Sequence, residues 1–203
     1  MIDNLTGINI VYALITIVIS LSIHEAMHAY AAHALGDTTA QDMGRLSLNP
    51  LKHIDPLTTV VLPIVTLILF HFPILAARPV PFNPNRVKYN EFGGAIVAAA
   101  GPLSNLALAI IAALLIRVSN NVSLLNFLDI FTILNVGIFI FNIIPIPPLD
   151  GSRVLYAFAP EPVQEFMQQI EPYGLFIVFG LVLTGVLTSL LINLNNDILR
   201  LLP

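Results

Sequence analysis

Apolar residues fall in long blocks along the chain, near residues 8–35, 57–77, 92–118, 124–145 and 173–194. Each block is close to or above the roughly twenty residues a helix needs to cross about 30 Å of hydrocarbon. Polar connectors separate them. Residues 36–56 hold Asp37, Asp42, Arg45, Lys52 and Asp55, and residues 78–91 hold Pro79, Pro81, Pro84, Arg86 and Lys88, so both read as ordered loops with turns rather than linkers. The pattern predicts an all-α membrane protein: a polytopic helical bundle of five apolar membrane segments forming a single domain over residues 1–203, with no repeat and no low-complexity tract. Within the first block, Ala29-Tyr30-Ala31 imitates a leader-cleavage site. No Lys or Arg precedes the block, however, and Asp3 is the one charge there, so it is expected to stay as a transmembrane helix.

Two segments depart from plain hydrophobicity. The third block carries Gly93, Gly94, Ala98, Ala99, Ala100 and Gly101, a small-residue surface that lets membrane helices approach closely. Residues 151–172 mix Arg153, Glu161, Glu165 and Glu171 with Val154, Leu155, Phe158, Val163, Phe166, Met167 and Ile170. That mixture predicts a short amphipathic helix at the membrane surface ahead of the last span, so that residues 161–203 form an amphipathic segment and a final crossing.

Composition agrees: 57% of the 203 residues are hydrophobic and 10% charged, with mean hydropathy +0.87, which excludes an ordinary soluble domain. The formal net charge is −4 with no basic run, which argues against a nucleic-acid partner. Absence of Cys removes thiolate zinc sites and Cys nucleophiles together, leaving His and carboxylates as strong metal ligands. Without Trp, an interfacial aromatic belt has to come from the 5 Tyr and some of the 12 Phe.

The first block contains His24-Glu25-Ala26-Met27-His28. Histidines at i and i+4 share one helical face, where both rings can reach one ion at about 2.0–2.1 Å. Glu25 sits one residue round the helix, near a metal-activated water without needing to be a ligand. Three ionisable groups within five residues of a hydrocarbon-spanning helix are costly unless paired or solvated, so a chemical role outweighs that of satisfied core residues. A catalytic zinc takes three protein ligands and leaves one position open. The best candidate for the third is Asp150, which ends Asn142-Ile143-Ile144-Pro145-Ile146-Pro147-Pro148-Leu149-Asp150-Gly151. Three prolines there deny the backbone its helical bonds, and irregular backbone at membrane depth is tolerated where it is buried in protein or lines a wet cavity. Of the other histidines, His33 points off the His24/His28 face, His53 is expected to serve structural hydrogen bonding, and His71 beside Pro73 is expected at the interface.

These two segments resemble the site-2 protease family of intramembrane zinc metalloproteases, in which an H-E-x-x-H helix and an N-x-x-P-x-x-P-x-D-G-like segment build the active site. Further similarity runs through Gly44 to Pro50, through His53-Ile54-Asp55-Pro56 and through Gly101-Pro102-Leu103-Ser104-Asn105, so the resemblance covers residues 8–160. The chain has no room for PDZ or CBS modules and looks like a minimal-core member. The resemblance implies one catalytic Zn²⁺ on His24, His28 and Asp150, with Glu25 as the base, acting on peptide bonds of transmembrane protein substrates within the lipid bilayer. It also implies that Asn142 contacts the substrate backbone or the developing oxyanion, with a helix-bridging hydrogen bond as an equal alternative; Asn105 is divided in the same way, with packing ahead. A membrane metal-ion or proton transporter using the same His, Glu and Asp is the alternative function, although no inverted repeat supports it.

Depth arithmetic bears on topology. His24 lies ten residues before the end of the first helix, about 15 Å, and Asp150 lies as far before Pro160. The two coincide in depth only if those segment ends leave on one face, which five simple crossings do not allow. Residues 57–77, interrupted by Pro63 and by His71-Phe72-Pro73, are therefore expected to be re-entrant or incompletely spanning. That arrangement gathers Arg45, Lys52, Arg78, Arg86, Lys88 and Arg153 on one side, with Arg117 and Arg200 opposite. Since cytoplasmic loops collect Lys and Arg, it predicts a multi-pass cell-membrane protein with its zinc nearer the cytoplasmic face.

Overall fold

The computed structural model describes residues 7–53, 83 and 86–203, and among these the regular structure is helical throughout. Helix α1, Gly7–Ala34, has 28 residues, about 42 Å at 1.5 Å each. Its sidedness is the reverse of a soluble helix. Thr16, Ser20, Ser22, His24, Glu25, Ala26, Ala29 and Ala32 are buried, whereas Ile10, Leu14, Ile15 and Val18 are exposed. Lipid is as apolar as leucine, so small and polar side chains go to the helix–helix contact and large apolar ones face outward.

A one-turn helix α2, Thr39–Asp42, follows α1. The chain then enters α3, Asn90–Val118, and α4, Val122–Ile143, whose N-cap Asn121 accepts a hydrogen bond from the Leu124 N–H. Helix α3 is the hub, packed against both α1 and α4, while α1 also meets α4. Its buried face is built from Gly93, Ala95, Val97, Ala98, Gly101, Pro102, Asn105, Ala109, Ala112 and Ala113; of the small residues expected to pack, Gly93, Ala98 and Gly101 are buried, while Gly94, Ala99 and Ala100 are half-buried. α1 and α3 run antiparallel: Lys88 N–H donates to the Leu35 carbonyl at 2.9 Å, His28 meets Val97, and Asn105 reaches the Ser20 carbonyl. The end of α1 and the start of α3 therefore lie on the same side of the bundle.

Asp37 ties these ends together. Completely buried, it accepts hydrogen bonds from the Thr39 N–H at 3.0 Å, the Thr39 hydroxyl and the Asn83 N–H at 2.6 Å. Nearby, buried His53 bonds through Nε2 to the Ser47 carbonyl at 2.7 Å, a structural role within the loop.

Helix α4 stops at Ile143 and helix α5, Asp150–Phe158, starts after the proline segment. α5 packs on α3 and α4. Helix α6, Glu161–Ile170, leads through one 3₁₀ turn, Glu171–Tyr173, into α7, Gly174–Leu183. Helix α8, Val186–Leu201, closes the structure against α4.

Four stretches among the described residues are long and apolar enough to cross a membrane: Gly7–Ala34, Asn90–Val118, Val122–Ile143 and Glu161–Leu183. The expected fifth segment, 57–77, and its re-entrant course lie outside the described residues. The C-terminal expectation needs correcting. The amphipathic residues from Glu161 and the apolar ones after Tyr173 form one near-continuous helical run, and the block 173–194 is not a single helix. Gly185 divides it at φ +74, a left-handed conformation that glycine adopts without a Cβ penalty.

Candidate metal centre

His24 and His28 stand one turn apart on α1, with their Nε2 atoms 3.0 Å from each other. Asp150, the first residue of α5, reaches between them: its Oδ2 is 3.1 Å from His24 Nε2 and 3.3 Å from His28 Nε2. Among the described residues these three form the one His/Asp/Glu group with ligand atoms within 4.8 Å of one another. The prolines make this meeting available. Without regular helical bonds, the segment closes on itself through Ile146 N–H to the Ile144 carbonyl at 2.8 Å, Leu149 N–H to the Ile146 carbonyl at 2.9 Å and Ser152 N–H to the Leu149 carbonyl at 3.0 Å. Buried Ile144 and Leu149 pack with Val178 and Leu187 of α7 and α8, fixing where α5 begins.

The protonation pattern follows from the partners of the far ring nitrogens. His28 Nδ1 lies 2.7 Å from the Val97 carbonyl, which can only accept, so Nδ1 carries a proton and Nε2 is the nitrogen left to meet a metal. His24 Nδ1 lies 2.7 Å from Asn105 Oδ1, with the same consequence. Oδ2 of Asp150 is buried and receives no hydrogen bond from the described residues. The two Nε2 atoms and the Asp150 oxygen thus converge on one point, a donor set that suits a cation. Two imidazoles and a carboxylate suit zinc, and ligands about 2.0–2.1 Å from a tetrahedral ion sit roughly 3.3 Å apart, close to the separations found here. The residues fit the ion.

Glu25 is buried beside His24 on α1. The two asparagines differ from one another. Asn105 is fully buried and bonds His24 on one side, the Ser20 carbonyl at 3.3 Å and Asn135 Oδ1 at 2.9 Å on the other. Asn142 is half-buried and donates to the Ile138 carbonyl of its own helix at 3.0 Å, so that bond does not bridge two helices. His33 is exposed at the end of α1, away from the pair, and His71 lies outside the described residues.

Two contributors were not legible as site residues. A Cβ added at Gly101 would collide with His28 Nε2 and lie 2.7 Å from His24 Nε2, so bare α3 backbone forms one wall of the centre. Asn135 of α4, fully buried, has no neighbouring motif to single it out.

Beside the proline segment lies a cavity of about 460 Å³ between the start of α3, Pro147 and the α5–α6 pair, lined among others by Glu91, Gly94, Ser152, Tyr156 and Glu171. The Arg153–Glu171 ion pair borders it, and α6 is fastened to Tyr156 by Gln164 and Gln168. It gives the irregular segment a polar, open flank.

Comparison with known proteins supplies an independent line. The sequence profile of peptidase family M50 matches residues 116–185, a stretch containing Asn142 and Asp150. YwhC of Bacillus subtilis, named as a zinc metalloprotease, is 39% identical over 178 residues, covering 83% of this chain and 78% of that protein. Rip2 of Mycolicibacterium smegmatis, likewise named, is 29% identical over 182 residues, covering 83% of this chain and 65% of that protein. The similarly named MJ0611 of Methanocaldococcus jannaschii is 43% identical over 61 residues, 29% of this chain and 31% of that protein. No solved structure matches the chain significantly.

Proposed function

The chain belongs to peptidase family M50 and is a zinc-dependent intramembrane metallopeptidase, and we propose that it hydrolyses peptide bonds of membrane-embedded protein substrates at the centre built by His24, His28 and Asp150, with Glu25 as general base. The observation that carries this reading is the convergence of two Nε2 atoms and a carboxylate oxygen on one point. Zinc held there supplies Lewis acidity, bringing the pKa of a water towards 7 and polarising the scissile carbonyl.

The protein's own groups divide the remaining work. Asp150 contributes the negative charge that makes the centre a cation site. Val97 and Asn105 hold the two rings by their Nδ1 protons, so neither ring can turn its lone pair away. Glu25 takes the proton from the attacking water and returns it to the leaving amine. Asn142, with one amide proton committed to Ile138 and its Oδ1 beside the helix break, is the group we assign to the substrate backbone. Asn105, engaged on every side and fully buried, is assigned to His24 rather than to substrate.

Charge supports placing the centre nearer the cytoplasmic face of the cell membrane. Arg45 and Lys52 follow α1, Arg86 and Lys88 precede α3, and α1 ends where α3 begins. Arg117 ends α3 on the other side, and Arg200 sits among α8 residues that pack near Ala109 of α3. That bias is the one cytoplasmic loops show.

The test is cleavage by the purified protein in lipid vesicles of a single-span helical substrate. Cleavage should be abolished by chelation, restored by zinc, and absent in His24→Ala and Asp150→Ala. Undiminished cleavage by those variants would refute the assignment.

A further inference from the structure

The two histidines are oriented by different means. His28 is held directly by backbone, through the Val97 carbonyl. His24 is held by a side chain, Asn105, and an amide can be turned end for end, presenting NH₂ where the oxygen was. Nothing in Asn105 itself decides which end faces His24.

The decision is made further out. The carbonyl of Phe131 on α4 can only accept, and Asn135 lies 2.8 Å from it, one turn along the same helix, so the nitrogen of Asn135 must face Phe131. Oδ1 of Asn135 then faces Asn105 at 2.9 Å and requires the Asn105 nitrogen there. The Ser20 carbonyl at 3.3 Å asks the same of Asn105. Oδ1 of Asn105 is thereby left for His24 Nδ1, which must donate, and Nε2 is the nitrogen left to face Asp150 and a metal. Each step has one polarity, and the starting carbonyl cannot be reversed. Asn105 and Asn135 are both fully buried, so a partner lost there leaves a polar group unsatisfied at high cost.

We propose that Asn135 is a positioning residue for the metal centre: acting through Asn105, it sets the tautomer and ring orientation of His24 and thereby the affinity and geometry of metal binding. The proposal rests on the zinc centre argued above. It gives α4, the helix that leads into the proline segment and Asp150, a hold on a ligand carried by α1. Outer groups of this kind change metal affinity by about 10- to 100-fold when removed.

The test measures zinc affinity of the full chain in detergent micelles by competition with a chromophoric chelator, with the visible spectrum of the Co²⁺-loaded protein as a report on ligand geometry. Asn135→Leu removes the acceptor and should weaken zinc binding by about 10- to 100-fold and shift the cobalt bands. Asn135→Asp, kept neutral by burial, can donate its hydroxyl to Phe131 and accept from Asn105, and should restore affinity and spectrum. Adding Asn135→Leu to Asn105→Leu should cost little beyond Asn105→Leu alone, because the two act in series. If Asn135→Leu does not fold, Asn135→Ser, which withdraws the acceptor from Asn105's reach, takes its place with the same expected loss. Unchanged affinity and cobalt bands in the Leu or Ser variant, or a loss in Asn135→Asp equal to theirs, would overturn the relay while leaving the centre intact. Failure of the unsubstituted protein to bind zinc, or undiminished binding by His24→Ala, would overturn the centre and the relay together.

Discussion

Oδ2 of Asp150 sits 3.1 Å from Nε2 of His24 and 3.3 Å from Nε2 of His28, so a helix start downstream of three prolines completes a pair set up by α1 alone. Two imidazoles and a carboxylate held this close form a cation site, and the stability of the fold should depend on the cation bound there. A ligand at 1,000 times its dissociation constant stabilises the folded state by about 4 kcal/mol. Chelation should therefore lower the thermal unfolding temperature in micelles, and zinc should restore it. Asp150→Asn, which keeps the shape and removes the charge, should abolish that zinc-dependent shift.

Glu25 separates binding from chemistry. It is buried next to His24 and is not one of the three converging ligands. Glu25→Gln should leave zinc content close to that of the unsubstituted protein while lowering the cleavage rate by about 10²- to 10⁴-fold, the span general-base catalysis commonly contributes. Metal analysis and a single-turnover cleavage assay on the same preparation check both halves. A variant that still cleaves at full rate removes Glu25 as the base.

The parts of this site that were legible in the sequence are those whose geometry is local. His24 and His28 share a face because any α-helix puts i and i+4 together, and Asp150 stood out because Pro145, Pro147 and Pro148 forbid a regular helix at the end of an apolar run. The boundaries of α1, α3 and α4 likewise follow block length and polar flanks. Asn135 escaped because its role depends on where α4 crosses α3, and an Asn in an apolar run looks the same whether it meets a carbonyl or another amide. Gly101 was read as packing, correctly as far as α3 is concerned, but the sequence does not say that the surface packed against it is a pair of imidazoles. The C-terminal block failed for a related reason: Gly174, Gly180 and Gly185 all punctuate it, only Gly185 turns left-handed, and no local pattern distinguishes it from the other two.

Gly101 gives a steric prediction. Its missing Cβ is what allows α3 to approach the rings, since a methyl group there would press on both Nε2 atoms. Gly101→Ala should weaken zinc binding and destabilise the protein by about 1–3 kcal/mol, the usual cost of overpacking. Gly180→Ala, in α7 where an added Cβ meets nothing within 4 Å, should instead stabilise slightly, by up to about 1 kcal/mol, through helix propensity. Thermal unfolding and zinc competition on the two variants distinguish a close-approach glycine from a tolerated one.

Asp37 sets an acid limit on the loop joining α1 to α3. Burial alone would raise its pKa, but the Thr39 hydroxyl, the Asn83 and Thr39 backbone N–H groups and the charge of Arg86 outweigh burial, and the carboxyl is held below its ordinary value of 3.8. A group whose pKa is lower folded than unfolded adds stability in full above the unfolded value. That contribution falls away as pH drops through the unfolded value and then the folded one, so the loss begins near pH 4 and continues downward. Asp37→Asn replaces one acceptor oxygen with NH₂ against a backbone donor and should cost about 1–3 kcal/mol at neutral pH, the penalty for leaving a buried partner unsatisfied. Because the variant has no proton to gain at this position, the stability gap between it and the unsubstituted chain should narrow below pH 4. Unfolding curves in micelles from pH 3 to 7 measure that gap directly. A gap that stays constant across the range would mean that the ionised form of Asp37 is not what holds Thr39 and Asn83 together.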